Sequence, residues 1–204
     1  MLNPHGHYKS FHFVITLWIQ RNTPFIYKPK KSLNNMEDLI LIHISPEAVK
    51  GYYRPLFERN FIQKLSKELQ GLGHKSIRRK YQRIFIDLNQ NSKISSIKEK
   101  LSSMKEINYF CFPKKINNSI KEIEKAALNI LESSKIKSFK PKIKISYRAS
   151  PLNVSEFTKN LGNYLIKKTN KILDFIEPDV TIYIEVLENA TYIYDMVYKH
   201  KSII

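Results

Sequence analysis

Glycine is scarce in this sequence, with five residues among 204 and no two of them adjacent. A loop that cradles nucleotide phosphates brings several backbone N–H groups close to the ligand, and this approach needs a local run of glycine. No such run is present. The sequence therefore predicts no glycine-rich loop for ATP phosphates, and we expect no bound cofactor.

Cysteine is nearly absent as well, since Cys111 is the only one. A single cysteine excludes a disulfide framework and a cysteine-based zinc site within one chain. Cys111 lies in the apolar run "NYFCFP", a strand-like pattern that predicts a buried, unreactive thiol. This cysteine usage fits a reducing compartment, and we expect a cytoplasmic protein.

The sequence shows no spacing of histidines or carboxylates that predicts a metal site or a catalytic centre. His5, His7 and His12 lie close together but have no evident fourth ligand, and the other histidines are far apart. Glu185 and Glu188 have no matching base or nucleophile nearby, so we expect both on the surface. We therefore predict no metal site and no catalytic residue.

Acidic residues are few: 18 Asp and Glu stand against 35 Lys and Arg, which gives a formal charge of +17 and a pI near 9.8. So basic a chain predicts a polyanionic partner, most often a nucleic acid. A membrane surface, or merely a lysine-rich solvated exterior, are the alternatives.

Residues 1–35 contain no acidic residue, and their apolar stretch "FHFVITLWI" is too short to span a bilayer. A well-patterned strand follows Met36. We predict that residues 1–35 are a disordered or artefactual extension and that Met36 is the functional start.

Residues 36–113 show the order β-α-β-β-α-β. The strands are predicted at 39–44, in two parts of 75–88 with a tight turn near 80–82, and at 107–112. After Pro55, apolar residues recur every four positions, as in an amphipathic helix, and a second helix is predicted at 91–104. This order is typical of a ferredoxin-like domain.

Residues 114–204 begin with a break at "KKINNS" and then show the order α-β-α-β-β. This order predicts a second, α/β domain, so the chain is of the α+β class. A helix at 119–134, with Ile120 inward, precedes a strand within 140–151. Asn153 and Glu156 resemble a capping box that begins the next helix, with Val154 inward. Residues 178–196 predict a β-hairpin.

Three stretches then resemble one known family. They are "VKGYYRPLFERNF" (49–61), "ISYRASPLNVSEFTKNLGNYLI" (145–166) and "EPDVTIYIEVLENATYIY" (177–194). In order and spacing they are similar to the amino-terminal half of tRNA 4-thiouridine synthetases, also called tRNA uridine sulfurtransferases. That half consists of a ferredoxin-like domain followed by a THUMP domain. The chain departs from the family at Ser45-Pro46, where Gly-Glu is usual, and in a shorter turn after Arg148.

The resemblance implies that the THUMP domain, helped by the ferredoxin-like domain, holds the single-stranded 3′ end of tRNA. In the family, an ATP-pyrophosphatase domain with a Ser-Gly-Gly loop performs the chemistry of uridine thiolation, and this sequence has no counterpart of that loop. We therefore expect a chain that is not an enzyme on its own, served by a separate or missing pyrophosphatase-type catalytic domain.

The candidate RNA-binding residues are mostly cations, because lysine and arginine neutralise phosphates and arginine also binds them bidentately. Arg148 is the first candidate, because it ends the basic face of the predicted strand. The other candidates are Lys142, Lys144, Lys159, Lys167 and Lys168 in the second domain and Lys50, Gly51, Arg54, Arg78, Arg79 and Lys80 in the first. For each of them the alternative is an ordinary surface residue. Tyr52, Tyr53 and Tyr147 either stack on bases or, as we favour, pack against the protein.

Two other functions stay open. A stand-alone THUMP adaptor would deliver tRNA to a different modifying enzyme, such as an acetyltransferase or methyltransferase. A peripheral membrane protein would use its basic, aromatic residues 1–35 and would lose liposome binding without them. The sequence also leaves the oligomeric state open, with a homodimer among the alternatives.

Overall fold

The computed structural model describes residues 38–132, 135–146 and 153–199, all within one compact unit that begins at Met36. The predicted extension at residues 1–35 lies outside the described ranges. None of the helices in those ranges combines the length and apolar character that crossing a bilayer requires.

The first domain has the predicted ferredoxin-like order. Its elements are β1 (Leu39–Ile44), α1 (Pro46–Val49), α2 (Arg54–Glu68), β2 (His74–Lys80), β3 (Arg83–Leu88), α3 (Ile94–Ser103) and β4 (Ile107–Cys111). Strand β1 pairs antiparallel with β3 and β4, and β2 pairs with β3 at the edge. The βαββαβ prediction is confirmed.

The four-residue apolar repeat of α2 packs on one face of this sheet. Phe61, Leu65 and Leu69 are buried against alternate residues of β1 and β3, such as Ile40 and Ile84. These contacts form because alternate side chains of a strand point to the same face. The helix is followed by Gly71 and Gly73, both at positive φ, where a side chain would be strained.

The second domain contains a further five-stranded sheet. Its elements are β5 (Lys114–Ile116), α4 (Ile120–Leu131), β6 (Ser138–Ile145), α5 (Val154–Thr169), β7 (Ile172–Leu173), β8 (Val180–Val186) and β9 (Thr191–Tyr194). The strand order is β5-β9-β8-β6-β7, with β6 parallel to its two neighbours. Asn153 caps α5 by accepting hydrogen bonds from the backbone N–H groups of Ser155 and Glu156.

Several details of the second domain differ from the sequence-based expectation. Residues 114–116, interpreted as part of a break, form edge strand β5 paired with β9. Ile120 and Val154 were expected to face inward but are 50% and 39% exposed, because each lies in the first turn of its helix. A final strand, β10 (Tyr198–Lys199), returns to the first sheet and pairs with β4.

The two sheets pack against each other through the faces that carry no helices. Leu39, Leu41, Phe85 and Cys111 of the first sheet form one buried cluster with Leu187, Ala190, Tyr192 and Tyr194 of the second. The first sheet is therefore buried on both faces, which explains why every residue of β3 except Asp87 is buried. Cys111 is fully buried as predicted, and this burial raises the pKa of its thiol well above the usual range.

Candidate nucleic-acid interface

A buried ionic network crosses the contact between the two sheets. Arg83 at the start of β3 is 3% exposed, and its Nε donates to Glu185 of β8, which is 2% exposed. The Glu185 carboxylate also accepts a hydrogen bond from His43 Nε2 at 2.7 Å and one from the Tyr194 hydroxyl at 2.7 Å. The expectation that Glu185 lies on the surface is therefore wrong. Its side chain lies on the outer face of the second sheet, and the first sheet covers that face.

Glu185 is ionised in this network. Burial by itself raises the pKa of its carboxyl group, but the hydrogen bond from His43 and the charges of His43 and Arg83 outweigh that effect and lower the pKa to about 2. Removing either partner of this buried ion pair would leave an uncompensated charge, so breaking the pair is costly.

Arg83 also joins the first domain to the end of strand β6. Its Nη1 donates to the backbone oxygen of Tyr81 at 2.7 Å, and its Nη2 donates to Ser146 Oγ at 2.9 Å. Ser146 directly precedes residues 147–152. One guanidinium thus holds the β2–β3 turn beside the end of the basic strand of the second domain.

A second arginine cluster holds the start of α2 at the same turn. Glu58, which is 3% exposed, accepts hydrogen bonds from Arg54 Nε at 2.7 Å and from Arg79 Nη1 at 3.0 Å. Arg54 Nη2 also donates to the backbone oxygen of Gln82 at 3.4 Å. Two positive charges share one carboxylate, so the cluster keeps a net charge of +1 at its exposed edge.

These contacts bring three segments together. We call them the junction surface: residues 50–54 before and at the start of α2, residues 79–82 around the β2–β3 turn, and residues 144–146 at the end of β6. Gly51 and five of the predicted cationic residues belong to this surface. These cations are Lys50, Arg54, Arg79, Lys80 and Lys144. Lys142 lies next to the surface, two residues before Lys144 on strand β6.

Lys142 and Lys144 lie exposed on the same face of β6, as the alternation predicted. Lys142 Nζ lies 5.6 Å from the ring centroid of Tyr183, and Lys144 is in register with Glu185. Arg148, the first candidate, and Tyr147 lie outside the described residues. The strand that leads to them ends at the junction surface.

Arg78 contacts the protein itself. It pairs with Asp87 through two hydrogen bonds of 2.9 and 3.0 Å, and its guanidinium lies 5.0 Å from the ring centroid of Phe85. Arg78 therefore lies on the face of the sheet that meets the second domain, and its contacts account for its presence without a ligand.

The lysines of α5 are spread over a long helix. Lys159, Lys167 and Lys168 are exposed, but α5 has 16 residues and is about 24 Å long. Lys167 and Lys168 are in its last turn, at the end of the helix away from residues 147–152. Cations in a last turn also stabilise the helix dipole, which gives these two lysines a structural role.

The turn before α2 favours glycine because Gly51 has a φ of +81°, which residues with a side chain rarely adopt; the space where a Cβ would lie is open. The next two residues, Tyr52 and Tyr53, are 68% and 75% exposed. We expected core or rim packing for these tyrosines. Their exposure excludes the core, while the ring centroid of Tyr52 lies 6.0 Å from that of Phe57, which is packing at the rim.

The sequence did not reveal Arg83, Glu185 and His43 as a group, since they are distant in the chain. One signal in the sequence could have indicated them: Arg83 and Glu185 are charged residues in strands that are otherwise mostly apolar. The described residues contain no cluster of three or more histidine, cysteine or acidic side chains suited to a metal ion.

Comparison with known proteins identifies both domains. Residues 39–111 match the family model of the ThiI ferredoxin-like domain, and residues 117–195 match that of the THUMP domain. The chain is 26% identical over 156 residues to a probable tRNA sulfurtransferase of Caldanaerobacter subterraneus subsp. tengcongensis, covering 76% of this chain and 40% of that protein. A probable tRNA sulfurtransferase of Moorella thermoacetica is 25% identical over 159 residues, covering 78% and 40%. The chain thus spans about 40% of the length of these relatives.

Two solved structures share the fold. PH1313 from Pyrococcus horikoshii Ot3 superposes with a TM-score of 0.70 at 19% identity, covering 80% of this chain and 55% of that one. A 4-thiouridine synthetase, solved as an RNA complex with bound ATP, superposes with a TM-score of 0.61 at 19% identity, covering 80% and 42%. The chain therefore shares its fold with both.

Proposed function

The chain belongs to the ThiI ferredoxin-like and THUMP domain families, and we propose that it binds tRNA by its single-stranded 3′ end for 4-thiouridine formation. The relatives named tRNA sulfurtransferase and the fold shared with a 4-thiouridine synthetase support the choice of RNA. The formal charge of +17 on the chain also fits a polyanionic partner such as RNA.

The observation that supports this proposal most is the junction surface. Arg83 bonds both to the turn of the first domain and to Ser146 of the second, and Arg54 bonds to the same turn. The segments that carry cationic residues of the two domains are consequently held side by side. A flexible single strand needs such a preformed surface, because immobilising it costs conformational entropy.

In this proposal the chain recognises tRNA, and an ATP-pyrophosphatase-type domain performs adenylation and sulfur transfer. The sequence has no glycine-rich phosphate loop, and Cys111 is buried with a raised thiol pKa, which disfavours the thiolate needed to carry sulfur. Arg148 remains a proposed RNA contact, as do Lys50, Gly51, Arg54, Arg79, Lys80, Lys142 and Lys144. A cytoplasmic location remains part of the proposal.

The test is to measure binding of the full chain to a tRNA and to the same tRNA without its unpaired 3′ nucleotides, across a salt series. We expect tighter binding to the intact tRNA. Arg148→Ala should weaken that binding by about tenfold and leave the affinity for the shortened tRNA almost unchanged.

The matched control is Lys168→Ala, which removes the same charge at the far end of α5. It should lower affinity slightly and equally for both RNAs. The proposal would be overturned if the unmodified chain bound the two tRNAs equally and its affinity depended only on the salt concentration.

A further inference from the structure

An aromatic series leads from the core of the first domain to the exposed turn before α2. Phe61 is 3% exposed, its ring centroid lies 6.0 Å from that of Phe57, and Phe57 lies 6.0 Å from Tyr52. Tyr52 ends the series with 68% of its surface exposed. Each ring supports the next, so Tyr52 is backed on one side and open on the other.

The backbone around the two tyrosines is fixed by hydrogen bonds. The Tyr52 N–H donates to the Val49 carbonyl at 3.0 Å, and the Tyr53 carbonyl accepts from the N–H groups of Leu56 and Phe57 at 3.0 and 3.1 Å. Gly51 provides the positive φ that this turn needs. The two rings are therefore presented to solvent by an ordered segment, which lowers the entropic cost of binding.

Cations flank these rings. Lys50 directly precedes Gly51 and is exposed, and Arg54 directly follows Tyr53. Glu58 holds Arg54 in place through its Nε, while Nη2 points to the β2–β3 turn. Open aromatic rings next to cations match a single-stranded nucleic acid, whose bases stack on aromatic side chains while its phosphates contact lysine and arginine.

A protein partner is the alternative occupant of exposed aromatic side chains. The second domain offers a contrast, since Ile172, Phe175 and Ile176 form an exposed, mainly aliphatic group near edge strand β7. That group has one aromatic ring and one cation beside it, since Lys140 Nζ lies 5.9 Å from the ring centroid of Phe175. Residues 50–54 differ from it in combining two tyrosines with two cations. This composition favours a nucleic acid over an apolar protein surface.

We propose that Tyr52 and Tyr53 form a stacking platform for unpaired bases at the 3′ end of the bound RNA. This inference rests on the proposed function and deepens it by assigning base contacts to the first domain. It predicts that binding depends on the bases of the 3′ end as well as on its phosphates.

The test compares three RNAs: a tRNA with its natural 3′ end, one whose unpaired 3′ nucleotides are abasic, and one that lacks those nucleotides. An abasic strand keeps the phosphates and removes the stacking partner. The proteins are the full chain, Tyr52→Ala, Tyr53→Ala, the corresponding phenylalanine variants, and Phe175→Ala as a control that removes an exposed aromatic ring elsewhere.

We expect the unmodified chain to bind the natural 3′ end about tenfold or more tightly than the abasic one. Each alanine variant should lose most of that difference and bind the abasic RNA as the unmodified chain does. The phenylalanine variants should retain the difference because they retain the ring, and Phe175→Ala should behave as the unmodified chain.

The outcomes separate this inference from the function on which it rests. If the alanine variants still distinguish natural from abasic RNA, the stacking platform is wrong and binding of the 3′ end stands. The tyrosines would then be a surface for a protein partner. If the unmodified chain does not distinguish intact from shortened tRNA, both proposals fail.

Discussion

The arginines of the first domain and the candidate lysines of the second domain differ in how they are held. In the first domain, Arg54 and Arg79 share the carboxylate of Glu58, Arg78 pairs with Asp87, and Arg83 pairs with Glu185. In the second domain, the candidate lysines are exposed, and none has an ion-pair partner among the described residues. These are Lys142, Lys144, Lys159, Lys167 and Lys168.

This difference separates two physical roles. Arginine has a planar fork of donors, so one edge can bind a carboxylate of the protein while another is available to a ligand. Lysine is a hydrated point charge on a flexible stem. We therefore expect substitutions in the arginine clusters to change both stability and RNA binding, and substitutions of the lysines to change only binding and its salt dependence.

The largest effect is expected at the buried network between the sheets. Glu185→Gln leaves the guanidinium of Arg83 buried without a counter-charge, so the free energy of unfolding should fall by about 3–5 kcal/mol. Urea denaturation followed by circular dichroism measures this change. Asp87→Asn is the control, because the pair that Asp87 forms with Arg78 is more exposed and should cost about 1 kcal/mol or less. Equal losses in the two variants would contradict the assigned role of Glu185.

The next effect is a dependence on acid pH. The pKa of Glu185 is about 2 in the folded chain and near 4.5 in a model peptide, so its ionisation stabilises the fold above pH 4.5. That contribution of about 3 kcal/mol should be lost as the pH falls from 4.5 towards 2. The measurement is the difference in unfolding free energy between the unmodified chain and Glu185→Gln, which should shrink over that range. A difference independent of pH would contradict the lowered pKa.

A smaller effect is expected at the other arginine cluster. Glu58→Gln weakens the bonds to Arg54 and Arg79, whose side chains are 38% and 46% exposed and can be hydrated instead. The unfolding free energy should fall by about 1–3 kcal/mol, and the preference for tRNA with its 3′ end should weaken because Arg54 is no longer fixed. Glu68→Gln, which removes the exposed pair with Lys100, should change neither quantity appreciably. Unaltered 3′-end preference in Glu58→Gln would show that Arg54 is not part of the interface.

The smallest effect on stability is expected for the strand lysines. Lys142→Gln combined with Lys144→Gln should alter the unfolding free energy by about 0.5 kcal/mol or less. The slope of log affinity against log salt concentration should decrease by about 1 for each of these lysines that neutralises a phosphate. Lys167→Gln combined with Lys168→Gln removes the same charge at the far end of α5 and is the control. A similar decrease of the slope in that variant would contradict a specific contact of the RNA with Lys142 and Lys144.

Local patterns in the sequence predicted most of the fold. The paired strands within 75–88, the hairpin at 178–196, the four-residue repeat of α2 and the cap at Asn153 each depend on neighbouring residues, and the structure confirms them. The short strands β5, β7 and β10 were not predicted, because two or three residues hold no period and only pairing with distant strands defines them.

The candidate site was predicted in its residue types and only partly in its arrangement. Exposure of Lys142 and Lys144 follows from strand alternation, whereas the contact of Arg83 with Glu185 joins residues 102 positions apart. Glu185 was expected on the surface because its own domain alone would leave it there. Only the second face of the first sheet, which no local pattern specifies, encloses it.

The central claim is that the 3′ end of tRNA contacts both domains at the junction surface. The most direct measurement is photo-crosslinking from a photoreactive nucleotide in that unpaired end, with the attached peptides identified by mass spectrometry. The account predicts crosslinks both in residues 50–54 and in residues 142–152, and none in the last turn of α5 at Lys167 and Lys168. Crosslinks confined to one domain, or found mainly in that last turn, would contradict it.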